Sequence, residues 1–495
     1  MKTTKIERDI RLTHDCVGEF TVPDYLPEVE KLLSAECALS SDGLYLKPSG
    51  SSGITAEQSG EVAFEVVWQG GESTAPTGAV FRCDYDNTAV LGAFPPGITP
   101  HCRAVTTVES VFCRVTAPRK LSLRARLSSR IEAASLTPVT VPSGCAADSV
   151  EKLTESIDSA VSVSGSSRDL FASTALRDVG TPLYCRGGIR IDICSPSSPS
   201  ECRLTGDILI TCFFVENDVI RTETVSIPFD EAVALDLPDD LSFDLAACCR
   251  GFGSVSSVTI REGDGADTAD VTYELFAEVL FSVSGDVVLD AFSTASPSSA
   301  EYGELCYSSV ITAASTPISV NERTAVSRTG RAELLTGSAV VESARIEGNG
   351  EKLRLTGSLT GTALISADSE RENVPYSVPW SCEIPVSVKD ADCETPDYIA
   401  DVSVLSVSGR ADGELSVSAE LFVSVSATAP KRLPVLEALS IDGNAEPTSH
   451  CIRVCYPTSG ERAWDIAKRF RVPVSKVASP ANTDENGAPR RVVVI

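Results

Sequence analysis

The sequence predicts a mainly β protein. Three tandem antiparallel β-rich domains, sandwich- or barrel-like, precede a small βααβ module at the C-terminal end. Three observations carry this. Val, Ser, Thr and Ala dominate while aromatic residues make up only 6%, a bias toward strands with a wet face rather than large helical bundles. Strict apolar–polar alternation recurs over stretches of seven to nine residues, which gives each strand one buried and one solvated face. A fixed order of features also returns three times along the chain. At 495 residues the chain exceeds one ordinary core, so several domains are expected. The boundaries read as 1–140, 150–292, 300–430 and 450–495.

The first element is the stretch 22–33, VPDYLPEVEKLL. It predicts a helix, with Pro27 in the first turn, where its missing N–H costs nothing. Leu26, Val29, Leu32 and Leu33 would form its apolar stripe. Each copy then has an alternating strand led by a glycine, at Gly60, Gly206 and Gly357. These glycines are 146 and 151 residues apart. A short edge-like strand follows at 80–84, 224–230 and 374–384, and two of these contain proline, which suits a sheet edge. Every copy closes on a hairpin, 108–115 with 121–127, 254–260 with 271–279, and 402–408 with 415–423. Turn formers separate the arms. The Ser/Thr/Pro-rich stretches 136–149 and 292–300, with 429–449, read as linkers, and each unit is large enough to bury a core of its own.

In the tail, Ile452, Val454 and Tyr456 alternate as a strand. Thr458 and Ser459 stand where a helix would begin. Ala463, Trp464, Ala467 and Phe470 then share a helical face. Val474, Val477 and Ala478 continue as a second short helix ending at Pro480-Ala481-Asn482, and residues 492–495 close as a β-branched run.

Net charge is −27, but residues 450–495 carry eight Lys/Arg against four Asp/Glu. An acidic body argues against nucleic acid as a partner, because phosphate binding needs clustered cations. Lys468-Arg469-Phe470-Arg471 is the densest cationic patch and suits an acidic surface. The absence of any run of 18 apolar residues argues against a membrane span. The N-terminal MKTTKIERDIRLTH lacks the apolar stretch of a secretory signal, so a cytoplasmic location is expected. Seventeen cysteines occur without a C-x-x-C pair, which fits reduced, buried thiols better than a metal or redox site. Cys248 and Cys249 are adjacent, a poor geometry for a disulfide. His450, Cys451 and Cys455 are too few to define a metal site. The three histidines, His14, His101 and His450, form no metal motif, and no nucleophile elbow or P-loop is encoded. No enzyme, cofactor or metal is expected.

Family resemblances add to this reading. The tail resembles a LysM module, a small unit that docks on glycans or proteins. Gly460, Trp464, Ile466, Ala467 and Asn482 stand where that pattern wants them, while Glu461 and Ala463 replace the usual Asp and Leu. Pro489 is kept without the usual Pro-Gly-Gln order. The resemblance implies a docking surface from the loop before the first helix (Pro457, Thr458, Ser459, Gly460) and the loop after the second (Ser479, Pro480, Ala481, Asn482, Thr483). Trp464, Ile466 and Phe470 would be its core, since so small a unit needs its aromatics for stability.

PDYLPEVEKLL, followed by alternating strands and CRVTAPRKLSLRARL, closely resembles the spore-coat domain family called SPOCS over residues 1–135. A LysM-like tail behind repeated SPOCS-type units is similar to spore morphogenesis proteins of clostridia. That resemblance implies a non-enzymatic structural role in endospore coat assembly, on the mother-cell side at the forespore surface. The tail would dock on a coat morphogenetic ATPase or another coat protein. A peptidoglycan-binding cell-wall protein is the alternative.

Overall fold

The computed structural model describes residues 2–49, 53–71, 75–93, 101–139, 150–176, 180–198, 200–235, 247–261, 267–326, 329–367, 370–386, 395–441, 454–458, 460–478, 482–483 and 493–494. The protein is mainly β, built from antiparallel sheets. Its first six strands are β1 (Lys2–Thr21), β2 (Lys31–Ser49), β3 (Gly53–Gln69), β4 (Pro76–Ala93), β5 (His101–Ala117) and β6 (Lys120–Val139). The next six are β7 (Val150–Ala175), β8 (Thr181–Ser198), β9 (Glu201–Glu216), β10 (Val219–Ala234), β11 (Ala247–Arg261) and β12 (Thr268–Ser293). The third six are β13 (Ser298–Ala325), β14 (Arg331–Glu347), β15 (Lys352–Ala367), β16 (Glu370–Pro385), β17 (Asp397–Ala411) and β18 (Glu414–Ile441).

One topology serves all three sets. The first strand pairs with the sixth and the sixth with the fifth, while the second, third and fourth form a meander. The register repeats as closely as the order. A bulge interrupts the second strand at Leu33, Leu183 and Glu333, each 150 positions after the last. A second falls at Ser40, Asp192 and Glu342. The second follows the first by seven residues in the first set and by nine in the other two, and bulges bend and twist a strand. In the first set the two sheets meet through Cys16, Phe64, Phe81, Leu121 and Leu123. The expected hairpins form in every set, and β4, β10 and β16 are sheet edges as read.

Gly60, Gly206 and Gly357 lie inside their strands rather than leading them. Each faces a large aromatic across the ladder, namely Tyr85, Phe229 and Trp380. At Gly357 the bare backbone leaves room for the ring. A Cβ on Gly357 would strike both the Val340 carbonyl and the Trp380 indole. Gly357→Ala is therefore expected to destabilise the fold by at least about 1–3 kcal/mol, read as a lower urea midpoint. An unchanged midpoint would show that both the Val340 backbone and the Trp380 ring move aside freely.

The 22–33 helix does not form. Residues 22–30 are a turn and an irregular crossing between the two sheets of the first set, and β2 starts at Lys31. Two prolines explain this, since the residue before each is pushed out of the α region. The backbone of the crossing is satisfied from outside. Val22 N–H donates to Arg119 O at 3.0 Å, Val29 N–H to Pro118 O at 2.7 Å and Glu30 N–H to Gln69 O at 3.0 Å. Arg119 in turn donates to the carbonyls of Pro23 and Leu26, and the Trp68 indole to that of Pro27.

Two expected linkers are largely strand. Only residues 294–297 separate β12 from β13, and β18 runs through 429–441, paired with the start of β13. The third six-strand set accordingly spans 298–441 rather than 300–430. Most of the remaining linker, 136–149, lies outside the described residues.

Besides the core inside each set, the three sets share one more. Leu33 and Val67 of the first, Leu183, Tyr184, Phe213 and Ile220 of the second, and Leu334 and Leu364 of the third form one buried cluster. Val67, Phe213 and Leu364 occupy matching register positions, opposite Ser34, Tyr184 and Leu334. Beside this cluster stand Glu36, Arg186 and Thr336, again 150 apart and register-equivalent. Arg186 pairs with buried Glu65. Glu36 accepts hydrogen bonds from Thr336 and Thr362 at 2.8 and 2.7 Å. Burial pushes the Glu65 carboxyl above its usual range against the pull of Arg186.

Candidate functional site: the tail and its seat

The tail comprises β19 (Val454–Cys455), α1 (Ala463–Phe470), α2 (Val474–Val477) and β20 (Val493–Val494), with β19 and β20 antiparallel. The α1 helix starts four residues later than Thr458-Ser459 suggests. Thr458 O instead accepts from Glu461 N–H at 3.1 Å in a turn through Gly460, whose φ is +83°. Asp465 supplies the missing cap, accepting the Arg462 backbone N–H at 2.9 Å. Arg471, left-handed at φ 52°, ends the helix. Lys468 and Arg469 in the last turn suit the negative end of the helix dipole.

Trp464, Ile466 and Ala467 face inward, as the spacing predicts. Their core is shared with the body. The Trp464 ring packs edge-on against Phe292 of β12, with centroids 5.1 Å apart, and Leu153 of β7 joins the same cluster. The Trp464 indole N–H donates to Asp290 Oδ2 at 2.8 Å. Lys468 Nζ reaches both oxygens of Asp290 at 2.7 Å and the Tyr302 hydroxyl at 3.0 Å. Tyr302 O–H donates to Asp290 Oδ1 at 2.7 Å. A single carboxylate on β12 thus gathers an indole and an ammonium from α1 and a phenol from β13. Asp290 follows a bulge in β12 between Val288 and Asp290.

Lys468 of the cationic patch is paired with Asp290 of β12. Sequence reading missed this seat because 292–300 looked like a linker. Nothing in the local pattern marks Asp290, Phe292 or Tyr302 as partners of residues more than 160 positions away.

Burial raises the Asp290 carboxyl, but the bonds from Lys468, Tyr302 and Trp464 outweigh it and leave the pKa below the usual carboxylate value. A depressed folded pKa contributes stability that is present above the unfolded value, near 3.8, and is lost as pH falls through the folded value. Amide protection of α1 is therefore expected to hold at neutral pH and to fail in acid below about pH 4. Asp290→Asn should bring that weakening to pH 7, by about 1–3 kcal/mol for charge-assisted bonds. Hydrogen exchange of 463–470 reads both, and protection equal to the parent in the variant would refute the role of the carboxylate.

Among the expected docking residues, Thr458 and Gly460 are exposed and Pro457 is half-buried, beside exposed Tyr456. Asn482 and Thr483 are buried, and the Asn482 amide donates to Lys476 O at 3.1 Å. Asn482 thus braces the end of α2, and neither side chain offers an exposed surface. Ser459, Ser479, Pro480 and Ala481 lie outside the described residues, as do His450 and Cys451. Phe470 is half-buried at the edge of the cluster. Cys455 Sγ accepts from Arg469 at 2.6 Å. Among the described residues, no group of three or more His, Cys, Asp or Glu side chains is placed to hold a metal ion. No described helix is long and apolar enough to cross a membrane.

One further surface distinguishes the first set. Val17, Arg124 and Phe112 form a cross-strand row. Val17 and Phe112 are 56% and 61% exposed. The register-equivalent rows are Ser173, Asp270 and Thr259 in the second set and Asn321, Ser418 and Ser408 in the third.

Compared with protein-family models and with curated proteins, the chain matches none.

Proposed function

We propose that the protein is a non-enzymatic scaffold of endospore coat assembly, made of three β-sandwich domains of the SPOCS type and a LysM-like βααβ tail. The observation that carries the scaffold reading is the threefold recurrence of one sheet topology and one bulge pattern. Such repetition suits a spacer with several contact faces. The coat assignment rests on the resemblance of residues 1–135 and of the tail. In this reading the exposed Val17–Arg124–Phe112 row serves lateral contacts to other coat proteins. The tail docks on a coat morphogenetic partner through the uncovered loop Pro457, Thr458 and Gly460, while its Trp464 face stays on the body.

The test is the position of a fluorescent fusion in sporulating cells, full length against a chain stopped at Ser449. A signal encircling the forespore that disperses on truncation is expected. Even spread through the cell, or fixation to the vegetative wall, would overturn the coat reading.

A further inference from the structure

The hairpin of β8 and β9 carries a second kind of chemistry. Cys185 and Cys212 stand directly opposite each other in its register, and their sulfurs are 2.8 Å apart. Opposed residues of an antiparallel pair have Cα atoms about 4.5–5.5 Å apart, within the roughly 4.4–6.8 Å that a disulfide spans. Closure therefore needs side-chain rotation and no backbone movement. The other two sets act as internal controls. At the matching positions they hold Ala35 opposite Val66 and Leu335 opposite Ala363. Only the second set faces thiol with thiol there.

Position strengthens the case. Cys185 lies between Tyr184, which packs on Phe213 in the shared central cluster at 4.8 Å, and Arg186, which pairs with Glu65 of the first set. Cys185 is partly exposed and Cys212 is buried, so an oxidant reaches the pair from the Cys185 side. The Cys185–Cys212 hydrogen bond lowers the Cys212 thiol and, with burial, raises that of Cys185, so Cys212 is the partner inclined to the thiolate that closes such a bond.

We propose that Cys185 and Cys212 are an oxidisable pair that forms a cross-strand disulfide, locking the hairpin through which the second set contacts the first and third. Two S–H bonds break and one S–S bond forms. The two electrons and two protons released reduce one hydrogen peroxide to two waters. Bond formation leaves the register intact, and the closed loop restricts the unfolded chain. This inference does not depend on the coat reading.

The experiment uses the reduced full-length protein treated with stoichiometric hydrogen peroxide. Remaining thiols are then alkylated in denaturant, and the protein is digested without reductant for peptide mapping. A linked peptide pair joining Cys185 to Cys212 is expected, with a urea midpoint above that of the reduced protein. The double variant Cys185→Ala with Cys212→Val copies the first set and should fold, lacking both the linked pair and the midpoint gain. Recovery of Cys185 and Cys212 as alkylated thiols, or joined to other cysteines, would overturn the proposal.

Discussion

Trp464→Ala is expected to release the tail from the body while leaving the three strand sets folded. The indole is 7% exposed, packs on Phe292 and donates to Asp290. Emptying a buried tryptophan site costs about 3–5 kcal/mol, and the Asp290 carboxylate loses one of its four donors. The contact is small, so a loss of that size removes most of its occupancy. Hydrogen exchange of α1 should rise to nearly unprotected rates, with protection of β11, β17 and β18 unchanged. Phe292→Ala should act in the same direction. The double variant should fall short of the sum, because both single changes empty one contact. Independent addition of the two effects would mean that the rings do not stabilise each other.

Arg250→Ala should be the most damaging single change at the junction of the second and third sets. Its side chain is fully buried. One guanidinium bonds Glu278 at 2.7 Å, Asp401 at 2.8 Å and the Ser424 carbonyl at 3.1 Å. Glu278 is itself 5% exposed. Removing the cation strands the buried Glu278 carboxylate and unpairs half-buried Asp401, and breaking a buried pair by deleting one partner costs about 3–5 kcal/mol. Arg250→Met with Glu278→Gln and Asp401→Asn should recover much of that loss, because the buried charge is gone with the cation. A triple variant as unstable as Arg250→Ala would assign the cost to lost packing.

Much of the strand layout was legible because alternation is a local signal. The hairpins at 108–127, 254–279 and 402–423 needed only their own residues to be recognised. The failures were of two kinds. PDYLPEVEKLL has helical spacing at Leu26, Val29 and Leu33, yet its backbone bonds are taken by Arg119, Pro118 and Gln69, far along the chain. Local periodicity competed with proline geometry and lost. The stretches 292–300 and 429–441 looked like linkers from their Ser, Thr and Pro content, but β13 and β18 pair across them, and pairing partners are not written into composition. The tail's inward face was readable from Trp464, Ile466 and Ala467. Its seat on Asp290 and Phe292 was not, because a docking contact between distant segments leaves no period in either one.

Glu36, Arg186 and Thr336 occupy one register position in three tandem copies. Three identical subunits closing on the same centre would have to place the same side chain there three times. Three carboxylates, or three guanidiniums, would repel one another in a poorly hydrated interior. Joining the copies in one polypeptide removes that constraint. Each copy can mutate alone, so an anion, a cation and a hydroxyl can share a centre that symmetry would have forced to be uniform. The covalent chain thereby converts a repeated position into a mixed one, with Thr336 bonded to Glu36 and Arg186 paired to Glu65.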